Sequence, residues 1–364
     1  MQKQPTALKN ISSLQPYRPG MPIEELARQY KLNPQEIIKL ASNENPLGQS
    51  KKVAEVVQKF TQETSRYPDQ YKLRRALSEF YNVPDENLVI GNGSNDILDI
   101  IARVFLGPNL DSISSEYGFI VYRLVTQLVG ANNVIVPANN YSHDLETMKA
   151  SINSKTRVIW IANPNNPTGT FVNYSKILSF IKTVPSNIVI VLDEAYFEYL
   201  DDEQKMNAIN WVKRYPNLVI VRTFSKIYGL AGLRIGYAIS SPLVCELLNR
   251  VRQPFNVNSL AIEAGVAALS DQKFVAKTKK INDEGMAQLE TGFKKLSKFF
   301  IPSKGNFLTV KFDNPQYIHQ KLLALGIIVR PLAEYGLSDF LRISVGKNEE
   351  NEKLLEALSK IVDS

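Results

Sequence analysis

Residues 223–237, TFSKIYGLAGLRIGY, follow the apolar run LVIV (218–221) and set Lys226 at what reads as the exit of a β-strand, eight positions before Arg234. An ammonium emerging from a low-dielectric strand end is disfavoured. Its pKa falls toward the range in which the amine is a nucleophile and a base. Taken alone, such a lysine is more often a surface residue, so the neighbouring strand exits decide its reading.

Three of them carry polar groups. ENLVIGNGSNDILDIIARVF (86–105) reads strand, glycine turn, helix, which would aim the backbone N–H groups around Gly93, Ser94 and Asn95 from a helix N-terminus as an anion cradle. The bland reading, a capped helix after a tight turn, has equal weight for that stretch alone. TRVIWIANPNNPTG (156–169) ends a strand in a rigid loop that can present the Asn166 amide to a ligand. NIVIVLDEAYFEY (187–199) carries Asp193 out of an apolar strand, where a carboxylate without a cation would be costly, and Tyr196 follows three residues later. An anion cradle joined by Ser225 and Arg234, an acid for a buried cation and an activated amine together describe pyridoxal 5′-phosphate, whose aldehyde takes a lysine and whose ring nitrogen takes an Asp.

Beyond these exits, the middle of the chain alternates β-branched runs (87–90, 111–114, 132–137, 156–162, 187–193, 217–223) with helical patterns. That alternation predicts an α/β fold, with a large domain whose mainly parallel sheet is covered by helices. After about residue 255 long helical stretches precede strand-like NFLTVKF, IIVRP and FLRISV, so a smaller α+β domain is expected. The expected division is an N-terminal arm at 1–45 packing on the small domain or a partner subunit, a large domain at 46–255 and a small one at 256–364.

Composition narrows the function classes. Of 364 residues, 44% are apolar and 22% charged, the balance of an ordinary globular chain, and no apolar run approaches a membrane span. A cytoplasmic protein without membrane or nucleic-acid partners is expected. The net charge of +7 is spread over amphipathic patterns such as KKVAEVVQKF rather than gathered in a patch, and it suits small anionic substrates. One cysteine in apolar LVCELLNRV reads as core, and two histidines argue against a zinc cluster or a catalytic triad.

The chain resembles the fold type I pyridoxal-phosphate enzymes, and within them the histidinol-phosphate aminotransferase family. LQPYRPGMPIEELA, KLASNENPLG, RYPD, GNGSND, EYGF, NPNNPTG, DEAYFEY, TFSKIYGLAGLRIGY, GNFL, GIIVRP and FLRISVG occur in order over nearly its whole length. The resemblance implies that Lys226 bonds the cofactor aldehyde, Asp193 pairs with the ring nitrogen, and Tyr196 with Asn166 bonds the phenolic oxygen. It further implies that Ser94, Asn95, Ser225 and Arg234 hold the phosphate, that Tyr117 stacks on the ring, and that Tyr67 reaches the neighbouring active site of a homodimer.

For the substrate the resemblance implies Arg330 and Arg342, with Tyr17 and Asn43 lining the same pocket. A structural reading, in which either arginine pairs with Glu334 or Asp339, stands beside it. Glu334 occupies a place in the arginine loop where many relatives have glycine. The expected reaction is amino transfer between L-histidinol phosphate and 2-oxoglutarate. An aromatic amino acid aminotransferase and a threonine-phosphate decarboxylase-type lyase are the alternatives.

Overall fold

The structure is a computed structural model that describes residues 5–16, 20–60 and 65–362. In chain order β1 (Ile38–Lys39) comes first, followed by β2 (Leu88–Gly91), β3 (Asp111–Ser115), β4 (Asn132–Val136), β5 (Thr156–Ala162), β6 (Val189–Asp193), β7 (Leu218–Thr223) and β8 (Gly236–Ile239). The C-terminal strands are β9 (Phe300–Ile301), β10 (Phe307–Lys311), β11 (Ile327–Ile328), β12 (Arg330–Pro331) and β13 (Phe340–Ser344).

Strands β2 to β8 form one seven-stranded sheet in the order β2-β8-β7-β6-β5-β3-β4. Only β8 runs against its neighbours, β2 and β7. β8 is not among the strands the sequence predicts, since its GYAI begins at the end of the motif around Lys226 and is short.

The strands alternate between two apolar layers, as a sheet covered on both faces requires. Ile159, Ile161, Ile190, Leu192, Leu218 and Ile220 join one layer, and Val158, Trp160, Val189, Val191, Val219 and Val221 the other. A one-residue slip would exchange the layers, so the register at the strand ends is strongly fixed. That register carries the polar residues described below.

The smaller sheet, order β12-β13-β10-β9, is antiparallel and packs beneath the helices Gln272–Lys295 and Asn348–Val362. β1 pairs with β11 in parallel, and the Leu40 carbonyl accepts from Ser344 N–H, so the end of the N-terminal arm is built into this unit. The arm begins elsewhere, since Asn10 donates to the carbonyls of Gln127 and Leu128. The expected boundary at residue 255 assigns the helix Ser259–Ser270 to the small unit. Its Ala261, Ile262, Ala264, Ala268 and Leu269 instead enter the core of the large sheet, because the helix is apolar around most of its surface and packs against the helices Lys51–Phe60 and Tyr71–Tyr81.

An ion pair closes the sheet behind the ends of β6 and β7. Glu194 Oε2 accepts from Arg222 Nη2 at 2.7 Å and Nε at 2.9 Å, with both side chains buried. Tyr174 donates to Glu194 Oε1 at 2.6 Å, and the guanidinium lies 3.7 Å from the ring centre of Phe197. Truncation by Arg222→Ala leaves the carboxylate buried without its cation, which costs about 3–5 kcal/mol. Urea unfolding is expected to show that loss, and a change below about 1 kcal/mol would remove the pair from the account of this fold.

Candidate active site

β2, β5, β6 and β7 run in the same direction, so their C-terminal ends meet along one edge of the sheet. Ligands of open α/β sheets bind at such an edge. A cavity of about 180 Å³ lies there, and it gathers Asn43, Ser94, Asn95, Asn166, Asp193, Tyr196, Ser225, Lys226, Arg234 and Arg342 in its lining. The polar residues singled out at four separate strand exits thus face one space.

Lys226 lies just past β7, partly exposed into the cavity, and its Nζ donates to the Ser42 carbonyl at 3.1 Å. Burial pushes its pKa down from 10.5 to about 7, and the positive charge of Arg342 pushes in the same direction. A large fraction of the amine is therefore neutral near pH 7. Asp193, the last residue of β6, moves the other way: burial raises its carboxyl to about 6. Tyr122 donates to its Oδ2 at 2.9 Å and the Ala195 N–H to its Oδ1 at 3.2 Å, which restrains that rise. Tyr122 is held in turn by stacking on Trp160, with ring centres 5.2 Å apart.

At the start of the helix Ser94–Phe105 no side chain caps the backbone N–H groups, which leaves them open as an anion cradle. Two glycines make it. Gly93 has φ +86°, and a Cβ there would stand 2.4 Å from Arg234 Nη2; a Cβ on Gly236 would stand 2.5 Å from the Ser94 nitrogen. Their bare backbones let the helix start, β8 and the guanidinium converge. Arg234, itself at φ 57°, donates to Ser225 Oγ at 3.4 Å and to the Ala231 carbonyl at 3.0 Å.

The far wall comes from the small unit and the arm. Arg342 of β13 donates to Asn166 Oδ1 at 2.6 Å and to the Ala41 carbonyl at 2.7 Å, while its buried Nε has no hydrogen-bond partner. Asn43 donates to the Tyr196 hydroxyl at 2.9 Å, and its Oδ1 accepts from Ser344. It bridges two units while holding φ 53°, a conformation Asn tolerates.

Two of the expected residues, Tyr117 and Arg330, stand outside the lining of this cavity. Tyr117 is outside the lining: its ring packs near Tyr141, centres 5.9 Å apart, beside the apolar cluster of Ile301, Leu332 and Phe340, and Phe119 lines the cavity instead. Arg330 is also outside, with Nη2 3.0 Å from Glu334 Oε2. Tyr67 is 81% exposed and stacks on Phe255 at 4.4 Å. Tyr17 lies outside the described residues.

Tyr122, Ser42, Thr223 and Tyr335 were not foreseen. Tyr122 sits within the helix Ile120–Leu128, where an aromatic at helical spacing carries no signal beyond core packing. Cys245 is buried, with its thiol pushed up to about 12 by burial. Among the described residues no group of three or more metal-ligating side chains assembles, and no helix is long and apolar enough to cross a membrane.

The donor set fits pyridoxal phosphate. It offers a cradle of N–H, hydroxyl and guanidinium donors for a phosphate, a buried carboxylate for a ring N–H⁺, and a lysine with a depressed pKa for an aldehyde.

Comparison with known proteins is consistent with that fit. Residues 35–358 match the family described as aminotransferase class I and II. The chain is 49% identical to histidinol-phosphate aminotransferase 1 of Dechloromonas aromatica, over 97% of this chain and 98% of that one. It is also 49% identical to histidinol-phosphate aminotransferase 2 of Pseudomonas aeruginosa, over 98% and 97%. Among solved structures, histidinol-phosphate aminotransferase from Sinorhizobium meliloti in complex with pyridoxal-5′-phosphate superposes with a TM-score of 0.90 at 26% identity, covering 100% of this chain and 99% of that one.

The pKa of Lys226 has a direct readout in cofactor-free protein. Only the neutral amine attacks an acylating reagent, so labelling of Lys226 is expected to rise with a midpoint near pH 7 and then level off, while ordinary lysines climb toward 10.5. Arg342→Gln removes a neighbouring positive charge, so the midpoint is expected to move upward. Peptide mapping by mass spectrometry measures both, and an unmoved midpoint would eliminate Arg342 as a cause.

Proposed function

This chain belongs to the class I and II aminotransferases and, within them, to the histidinol-phosphate aminotransferase family, and on that premise we propose that it transfers an amino group between L-histidinol phosphate and 2-oxoglutarate. It is a pyridoxal-phosphate-dependent transaminase. The observation that carries the substrate reading is the agreement over nearly the full chain, together with a cavity whose cationic wall suits anionic substrates.

The bound cofactor supplies an electron sink, its protonated ring drawing the electrons left at the substrate Cα. The chain's residues do the rest. Asp193, in the cavity lining, would keep the ring nitrogen protonated, and Tyr122 holds that carboxylate in place through its hydroxyl. Ser94 and Asn95, with Ser225 and Arg234, line the cavity and would hold the phosphate.

Tyr196 and Asn166 donate toward the phenolic oxygen. Lys226 holds the aldehyde carbon at rest. With its pKa near 7, the Lys226 Nζ would serve as the base and acid that moves the proton at the substrate Cα. Arg342, in the cavity lining, would bind the substrate anion in two-point fashion, a geometry lysine cannot reproduce. Asn43 keeps the Tyr196 hydroxyl aimed.

The same reading assigns Arg330 to the substrate side and makes the protein a homodimer in the cytoplasm. Exposed Tyr67 and Phe255 support the dimer, since stacked aromatics left to water mark contact surfaces. Tyr67 would then reach the phosphate in the partner. Sedimentation of the holoenzyme is expected at twice the mass of one chain, with Tyr67→Phe weakening cofactor binding several-fold; a monomer with unchanged cofactor affinity would end the assignment of Tyr67.

Competition decides the substrate. With glutamate as donor, kcat/KM for imidazole-acetol phosphate is expected to exceed that for phenylpyruvate by about tenfold or more. The reverse order would make this an aromatic amino acid aminotransferase. Borohydride reduction of the holoenzyme is expected to fix the cofactor on Lys226.

A further inference from the structure

Asn166 sits in the loop that follows β5, and contacts from the small unit tie that loop down from across the boundary. Arg342 of β13 donates to Asn166 Oδ1, and Thr309 of β10 donates from its hydroxyl to the carbonyl of the next residue, Pro167. The Lys304 N–H donates to the Gly169 carbonyl at 2.8 Å. A Cβ on Gly169, at φ +76°, would stand 2.2 Å from Ser303 Oγ, so the two chains approach closely there.

Thr309 and Arg342 are direct partners in the antiparallel β10–β13 pair. Their side chains therefore leave one face of the small sheet side by side and reach consecutive residues of the loop. Thr309 is wholly buried and stands outside the cavity lining. A buried hydroxyl without a partner is costly, so the Pro167 carbonyl is held to it.

The consequence falls on Asn166, which does line the cavity. With Oδ1 engaged by Arg342, the group the amide has left to offer is its donor, Nδ2. Arg342 fixes which way that amide faces. A bond to the adjacent carbonyl fixes where the backbone beneath it lies.

We propose that Thr309 is a positioning residue for the transamination: by holding the Pro167 carbonyl it sets the Asn166 amide toward the phenolic oxygen of the cofactor. The proposal rests on the assignment of Asn166 to that oxygen in the reading above. Thr309 acts through Asn166 and takes no part in bond changes. In NFLTVKF it reads only as one more β-branched residue of a strand.

The test uses holoenzyme and the pH titration of the bound cofactor's visible absorption. A donor on the phenolic oxygen favours its anionic form, so a loosened Asn166 moves the midpoint up. Thr309→Val keeps the volume and removes the hydroxyl, and its midpoint is expected to rise by about half a unit or more. Thr309→Ser keeps the hydroxyl and is expected to stay within about 0.2 unit of the wild type. Thr309→Ala deletes the hydroxyl without crowding the strand pair, is expected to shift as the valine variant does, and gives the same readout should Thr309→Val fail to fold.

A midpoint unmoved by loss of the hydroxyl, or a Thr309→Ser protein shifted as far as Thr309→Val, would overturn the role of Thr309. Asn166→Ala separates that failure from one of the assignment beneath it. A raised midpoint in Asn166→Ala beside an unmoved one in Thr309→Val removes Thr309 alone, whereas an unmoved midpoint in Asn166→Ala removes the assignment of Asn166 and the proposal with it.

Discussion

The buried pair of Glu194 and Arg222 is the constraint on which the rest of the site depends. Glu194 directly follows Asp193 at the end of β6, and Arg222 precedes Thr223, Ser225 and Lys226 at the end of β7. Two adjacent parallel strands are thereby pinned where their chemistry begins. Desolvating two charges is costly, and the pair is held only because Tyr174 and Tyr81 complete its hydrogen bonds and Phe197 faces the guanidinium. What the pair contributes is position. An acid and an amine on neighbouring strand ends keep their separation through a cofactor's arrival and departure.

Within that frame the low dielectric acts in two directions. It lowers Lys226 to about 7 and raises Asp193 to about 6, each group moving toward its uncharged form. For the lysine this is the useful direction, since the neutral amine is the base. For the aspartate it is opposed by the Tyr122 hydroxyl and the Ala195 N–H. The same burial therefore prepares one residue to give up its proton and makes the other a ready partner for a cation.

Much of this was legible along the chain. Strand runs rich in Val and Ile, ending in Asp193, in Asn166 or ahead of Lys226, announce both a sheet covered on two faces and the edge where a ligand sits. The glycine turn before Ser94 announces a cradle. These signals are local, because strand period, turn chemistry and helix start depend on residues a few positions apart. What stays hidden along the chain is set from afar. Tyr117 packs beside Tyr141 from another loop and stands outside the cavity lining. Tyr122 reads as core, and only the fold brings its hydroxyl to Asp193.

The sequence by itself determined the class of fold and the family, and it marked the lysine, the acid and the glycine turn that the fold gathers at one cavity. Tertiary structure alone decided how charges pair across units: that Arg342 leans on Asn166, that Asn43 bonds Tyr196, and that Arg330 lies against Glu334 rather than in the cavity lining. The reason is physical. Propensity and burial follow from neighbours in the chain, whereas the charge state and reach of a side chain follow from whatever long-range packing brings beside it.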